Sequence, residues 1–183
     1  IQMSRKIALN SAYGAIGNQY FRYYDRKIAT AITTSGQLAI RWIENDVNKY
    51  LNKILQTDDK DYDIASDTDS IYVSFDKLVS KSFGEKSDIS NDRVVSFLAT
   101  VAKEKLEPFI DESYKRLAAY VKPYQQKMVM SREVIADKGI WTAKKRYILN
   151  VYDSEGVRYK EPQLKVMGIE AVKSSTPAPC REM

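Results

Sequence analysis

An α+β fold is what the sequence predicts, and three observations predict it. Two long stretches, from about Arg26 to Leu55 and from Asn91 onward, place apolar residues at helical spacing. Between them, Tyr62–Phe75 alternates at the two-residue period of a strand on either side of a polar middle. The last third is rich in β-branched residues interrupted by turn formers. At 183 residues the chain can build one domain with a core, or part of a larger one. Lys and Arg number 29 against 24 Asp and Glu, and the net charge of +5 permits a polyanionic partner without requiring one. One cysteine, Cys180, excludes an internal disulfide and fits a reducing compartment. Histidine is absent, which excludes His-based zinc sites, Ser-His-Asp triads and histidine bases and leaves carboxylate and lysine chemistry. No apolar run is long enough to cross a bilayer, so no membrane partner is expected.

Residues 3–15 are helix formers without proline. Lys6, Asn10, Tyr13 and Gly17 fall on one face of that helix, a poor core pattern that serves equally as a solvated stripe or as part of a site. The chain opens at Ile1 in what reads as mid-helix, so a piece of a longer or split protein is expected. Asn18–Asp25 is aromatic with Arg22 among the rings; it could stack nucleobases, but packing between layers is the preferred role for Phe21 and Tyr23. The long helix Arg26–Leu55 follows, its stripe formed by Ile28, Ile32, Leu38, Trp42, Val47, Leu51 and Leu55. Thr57–Asp61 breaks it.

Asp67, Thr68, Asp69 and Ser70 form the polar middle of the strand pair, being poor strand formers whose short side chains bond nearby backbone. Two carboxylates thus stand at a hairpin tip. At about 4 Å they repel by roughly 4 kcal/mol at an effective dielectric of 20, unless a cation answers them. Hard oxygen ligands suit Mg2+, which bridges one or two carboxylates to substrate phosphates. An ordinary acidic surface turn has the same short pattern.

A short Asp76–Val79 segment and a polar loop, Ser80–Asn91, come next. Ser90 or Asn91 caps the second long helix, buried through Val94, Leu98, Val101, Leu106, Ile110, Tyr114, Leu117 and Val121 and bent near Pro108. Strands are expected at Met128–Ala136, Trp141–Val151, Val157–Tyr159 and Leu164–Ile169, with turns at Asp137–Gly139 and Ser154–Gly156. Within the second of these strands, alternation sets Lys144 and Arg146 on one face, Lys145 and Tyr147 on the other. Three adjacent cations suit either a charged edge or a seat for a phosphate backbone. Ser174–Pro179 ends regular structure.

The order of these blocks resembles that of family B DNA polymerases. Lys6-x-x-x-Asn10-Ser11-x-Tyr13-Gly14, Asp67-Thr68-Asp69-Ser70 and Lys144-Lys145-Arg146-Tyr147 match that family's second, third and template-contacting motifs. Ala29–Thr34, Met167–Glu170 and Lys173–Pro177 resemble its T4-like bacteriophage branch. The resemblance implies a polymerase palm, an antiparallel sheet backed by two long helices. Residues 1–17 would be the end of a fingers helix, 18–176 the palm, and 177–183 the start of a connection to the thumb. It implies that Asp69 is the metal-holding carboxylate and Asp67 a neighbour shaping the site, with two Mg2+ ions promoting attack of a primer 3′ hydroxyl on a dNTP. Lys6 would meet the triphosphate, while Asn10, Tyr13 and Thr68 belong to the nucleotide pocket. Lys144, Lys145, Arg146 and Tyr147 would hold primer-template DNA, and Lys173 the duplex further back. Glu133 resembles an acidic position beside the metals, although Ser131 stands where the family commonly has another acid.

The family's first carboxylate motif, its exonuclease domain, most of its fingers and its thumb have no counterpart here. The chain alone is therefore expected neither to extend a primer nor to bind Mg2+ tightly. Its partners would be the remaining polymerase segments and, through sequence beyond Met183, a sliding clamp, in the cytoplasm of an infected bacterial host. A non-catalytic nucleic-acid- or partner-binding module on the same fold is the alternative. A nucleotide-sugar glycosyltransferase would explain Asp67-x-Asp69 but leave both lysine blocks without a role.

Overall fold

Residues 2–84, 90–172 and 176–177 are described by a computed structural model. Helix α1 (Gln2–Ile16) ends at Gly17, and the Asp25 carboxylate accepts from the backbone N–H groups of Lys27 and Ile28 to start α2 (Arg26–Leu55). The buried face of α2 is Ala39, Ile43, Val47, Leu51 and Leu55, one residue every fourth position. The expected stripe holds only in its later part, because Ile28, Ile32 and Leu38 are 50%, 48% and 43% exposed. A stripe tells which face is apolar, not how far a partner extends along it. Here α2 joins the main core only from Ala39 onward, in one cluster with Tyr62, Ile110, Tyr114 and Leu117.

Strands β1 (Asp63–Asp67) and β2 (Ser70–Val73) pair antiparallel, with Asp67 opposite Ser70 and Ser66 opposite Ile71. Two asparagines one turn apart on α2 hold the base of this hairpin. The Asn48 carbonyl oxygen accepts from the Tyr62 N–H, and that of Asn52 accepts from the Lys60 N–H and the Thr57 hydroxyl. Tyr62, 1% exposed, is thereby seated in the main core with its hydroxyl 2.8 Å from Thr57. Helix α3 (Asp76–Phe83) runs further than expected into the polar segment, as Phe83 packs edge-on against Phe97 at 5.2 Å.

The second long helix forms as α4 (Asn91–Val101), a π-helical segment Ala102–Leu106 and α5 (Glu107–Val121). Ser90 precedes α4 without a side-chain cap bond, and Asn91 instead donates to the Tyr152 hydroxyl. Pro108 lacks the N–H that a regular helix would direct at the Glu104 carbonyl, and the wider π turn lies immediately before it. Ile110, Tyr114 and Leu117 pack on α2, whereas Val121 is 51% exposed. Trp42 and Asp46 of α2 meet the fully buried Ser113, and Arg116 donates to the same Asp46 carboxylate.

Strands β3 (Val134–Ala143), β4 (Arg146–Ser154) and β5 (Val157–Met167) form a second antiparallel sheet in that order. Several expected boundaries are corrected. Residues 128–133 are not strand, and Asp137–Gly139 is no turn but lies within β3, where pairing slips between Ala136 and Lys138. A Cβ on Gly139 would stand 2.6 Å from the Trp141 ring and 2.7 Å from Leu149, so this glycine makes room for a large neighbour. The expected strand Trp141–Val151 is a hairpin whose two-residue turn is Lys144–Lys145. Strand β5 runs unbroken through Pro162, which an edge strand tolerates. Mixed helix and antiparallel strand is the class expected, but the described strands make two sheets rather than one.

Candidate active site

At the tip of the first hairpin, Thr68 takes a left-handed φ of 42°. The Ser70 hydroxyl donates to the Asp67 backbone carbonyl, and the Thr68 hydroxyl to the Asp67 carboxylate at 2.9 Å. These bonds use the short polar side chains that made the segment legible as a turn. Asp69 is exposed, and Asp67 keeps a quarter of its side chain open.

The lysine turn faces this tip. Lys145 Nζ stands 4.0 Å from Asp67 Oδ1, with 66% of the lysine side chain exposed. A pair so open to water contributes about 1 kcal/mol or less, so packing must hold the two hairpins together. Tyr72 of β2 supplies it, with its ring 5.4 Å from both Trp141 and Tyr147 in edge-on contacts. Burial, and then the hydrogen bond and charge of Tyr147, push the Tyr72 hydroxyl up to about 12. Tyr147, only 9% exposed, thus lies in the second core instead of on an open face. Lys144 and Arg146 remain exposed, the latter 3.0 Å from Glu170.

Beside the tip lies a groove of about 820 Å³ whose lining includes Asp69, Tyr72, Ser131, Glu133 and Lys165. The structure therefore brings Asp69 and Glu133 to one groove. Glu133 is paired with Lys165 at 2.7 Å, a partner that sequence reasoning missed because alternation along a strand says nothing of what lies across from it. Lys6, Asn10 and Tyr13 stand exposed on α1, and among the described residues no hydrogen bond or ion pair ties them to the acidic tip. Lys173 lies outside the described residues.

Two further carboxylates show how environment sorts the acids. At the hairpin base, burial first, then the charges of Glu44 and Asp61, raise Asp63 to about 6, and its Oδ1 is buried without a hydrogen-bond partner. Burial pushes Asp153 the same way, but the hydrogen bond and charge of Arg132, the Gly156 N–H and Arg158 outweigh it and hold the carboxyl below its usual range. Arg158 also reaches Asp92 at 2.6 Å, which ties the second sheet to α4.

Asp67 and Asp69 offer the hard carboxylate oxygens that suit Mg2+, a cation that takes the rest of its donors from water and phosphate. Among the described residues no group of three or more His, Cys, Asp or Glu could hold a metal ion, so the chain offers an incomplete cage. No helix among them is long and apolar enough to cross a membrane.

Comparison with known proteins matches residues 1–177 to the family model described as DNA polymerase family B. The chain is 50% identical over 184 aligned positions to a DNA-directed DNA polymerase of Escherichia phage RB69, covering 96% of this chain and 20% of that protein. Identity to a DNA-directed DNA polymerase of Enterobacteria phage T4 is 47% over 189 positions, covering 99% and 21%. A DNA polymerase of Pyramimonas orientalis virus is 26% identical over 169 positions, covering 92% and 12%. The chain thus spans about a fifth of the length of the two phage relatives.

Proposed function

The chain belongs to DNA polymerase family B, and from that premise we propose that it is the palm segment of a DNA-directed DNA polymerase. Its reaction would be nucleotidyl transfer from a dNTP to a primer 3′ end. The observation that carries this reading is the meeting of two hairpin tips, one with Asp67 and Asp69, the other with Lys144 and Lys145. An acidic point and a basic point within one ion-pair distance can hold a metal-bound triphosphate and a phosphate backbone side by side.

In the transfer, the primer 3′ oxygen would form a bond to the α-phosphorus, the bond to pyrophosphate would break with pyrophosphate departing, and the hydroxyl proton would pass to solvent water. Asp69 and Asp67 would hold Mg2+, which supplies activation of the hydroxyl and stabilisation of the leaving oxygens when bound. Thr68 shapes the tip by its bond to Asp67. Lys144, Lys145 and Arg146 grip the duplex, Tyr147 supports them from the core, and Lys173 contacts the duplex further back. Lys6 answers triphosphate charge as a mobile cation, with Asn10 and Tyr13 lining the nucleotide pocket. These three lie on a helix that also exposes Met3, Ile7 and Leu9, so the remaining polymerase segments are needed to bring α1 over the tip. Residues 1–17 then count as fingers, 18–176 as palm and 177–183 as the connection onward. The site of action would be the infected bacterial cell.

Mixing the chain with an upstream fragment bearing the family's first carboxylate motif tests the reading by primer extension. Synthesis should appear only in the mixture, and Asp69→Ala should lower it at least about a hundredfold, as expected when several kcal/mol of metal-mediated stabilisation is lost. Synthesis by the chain alone, or an active Asp69→Ala mixture, would overturn it. One observation favours a second reading: Lys145 answers Asp67 and Lys165 answers Glu133, so the acids are partly neutralised by the chain itself. A non-catalytic binding module would hold DNA with or without Asp69 and never restore synthesis.

A further inference from the structure

We propose that the corner Gly168–Glu170 is a clamp that positions the Lys144–Lys145–Arg146 turn and so sets its grip on a phosphate backbone. The grip, though not the clamp, rests on the reading of that turn as a duplex contact.

The turn has reasons not to keep its shape unaided. Two adjacent lysines repel, and Lys145 sits at φ 62°, a left-handed conformation that a side-chain-bearing residue rarely holds without outside support. That support comes from the end of β5. Met167 pairs with Tyr147, which carries the next residue alongside the turn. Gly168 there has φ 67°, and a Cβ on it would collide with the Lys145 carbonyl oxygen while standing 3.1 Å from the carbonyl carbon and 3.3 Å from Arg146 Cγ. Glycine is needed twice over at this position, for conformation and for room. Two residues on, Glu170 meets Arg146 Nη2 at 3.0 Å, and its backbone carbonyl accepts from the Thr176 hydroxyl at 2.6 Å. One corner of chain therefore touches the turn through its backbone and through its third cation.

The test uses the 183-residue chain and two variants, Gly168→Ala and the milder Glu170→Gln. Trypsin cleavage after Lys144 and Lys145, followed by mass spectrometry, should accelerate roughly tenfold in Gly168→Ala and less in Glu170→Gln, since protease reads the opened turn. Cleavage after Lys127, in an exposed segment, should stay constant. No acceleration at the turn, or acceleration matched at Lys127, overturns the clamp. Binding to a fluorescein-labelled primer–template duplex is read by anisotropy against salt. Lys145→Ala should lower the salt slope by about one, as for the loss of one phosphate contact. Gly168→Ala should weaken binding in the same direction, and the two changes together should cost less than the sum of the single losses. Additive losses overturn the grip. A Lys145→Ala chain that binds as the parent does overturns the duplex-contact reading and the grip with it, whereas the proteolysis result stands or falls separately. Should Gly168→Ala fail to fold, Glu170→Gln carries both measurements.

Discussion

Asp63 and Asp67 stand four residues apart on one short strand, yet their surroundings ask opposite things of them. Asp67 has Lys145 in reach, while Asp63 faces Glu44 and Asp61 with one oxygen buried and unpartnered. A carboxyl whose folded pKa is raised to about 6 binds its proton more tightly in the native state than in the unfolded one. Its stabilisation is therefore complete below about pH 4 and lost as pH rises through about 6. Asp63→Asn should abolish that slope in urea-unfolding midpoints measured across pH 4–8, and should stabilise the chain at pH 8 by on the order of 1–2 kcal/mol after allowance for solvent screening. A variant that keeps the parent's slope would show that Asp63 ionises freely. The acidic tip was legible in the sequence because short polar residues between alternating runs have few other uses. The burden on Asp63 was not, since it arises first from burial by the folded chain and then from the charge of Glu44 on another element.

Among elements, the first hairpin is held both by its own strand pairing and by α2, which anchors the segment leading into it. Asn52 alone accepts from the Lys60 N–H and the Thr57 hydroxyl and donates to the Lys60 carbonyl. Asn52→Ala should cost about 1–3 kcal/mol, as partly buried backbone groups lose their partners. Thermal unfolding should fall by roughly 2–4 °C per kcal/mol, and a change under 1 °C would mean that water replaces the asparagine without loss. The second half of α2 and α5 were readable from periodicity because each buries one face against the other. The second sheet was less so. Asp137–Gly139 has the composition of a turn, but its glycine serves the Trp141 ring, and the true turn is built from two lysines that carry no turn signature. What fixes Lys145 at positive φ lies more than twenty residues downstream, out of reach of local pattern.

Across the whole molecule, α1 and the first half of α2 extend away from the described core. Met3, Ile7, Leu9, Ile28, Ile32 and Leu38 are all at least 43% exposed, whereas Ala39–Leu55 lines the main core. Amide hydrogen exchange should divide α2 accordingly, with protection from Ala39 onward exceeding that before Gly36 by about tenfold or more. Uniform protection along α2 would mean that its first half is covered in solution. The sequence showed an apolar face there but not its vacancy, because composition records what a face can bury and not whether the burying partner is present. The same holds for function: the motif order indicated a polymerase, while the tip-to-tip meeting of the two hairpins required three-dimensional packing around Tyr72.

The π segment before Pro108 has a consequence for the division of labour along its helix. Each residue advances a regular helix by about 100°, so one extra residue in a turn rotates everything downstream relative to everything upstream. With that offset, α5 aims Ile110, Tyr114 and Leu117 at α2, while α4 presents Asp92 and Asn91 to the strands that carry Arg158 and Tyr152. One continuous rod thus works as two gears of different phase. A single-residue deletion there would remove the offset and leave one of its two faces turned away from what it should meet.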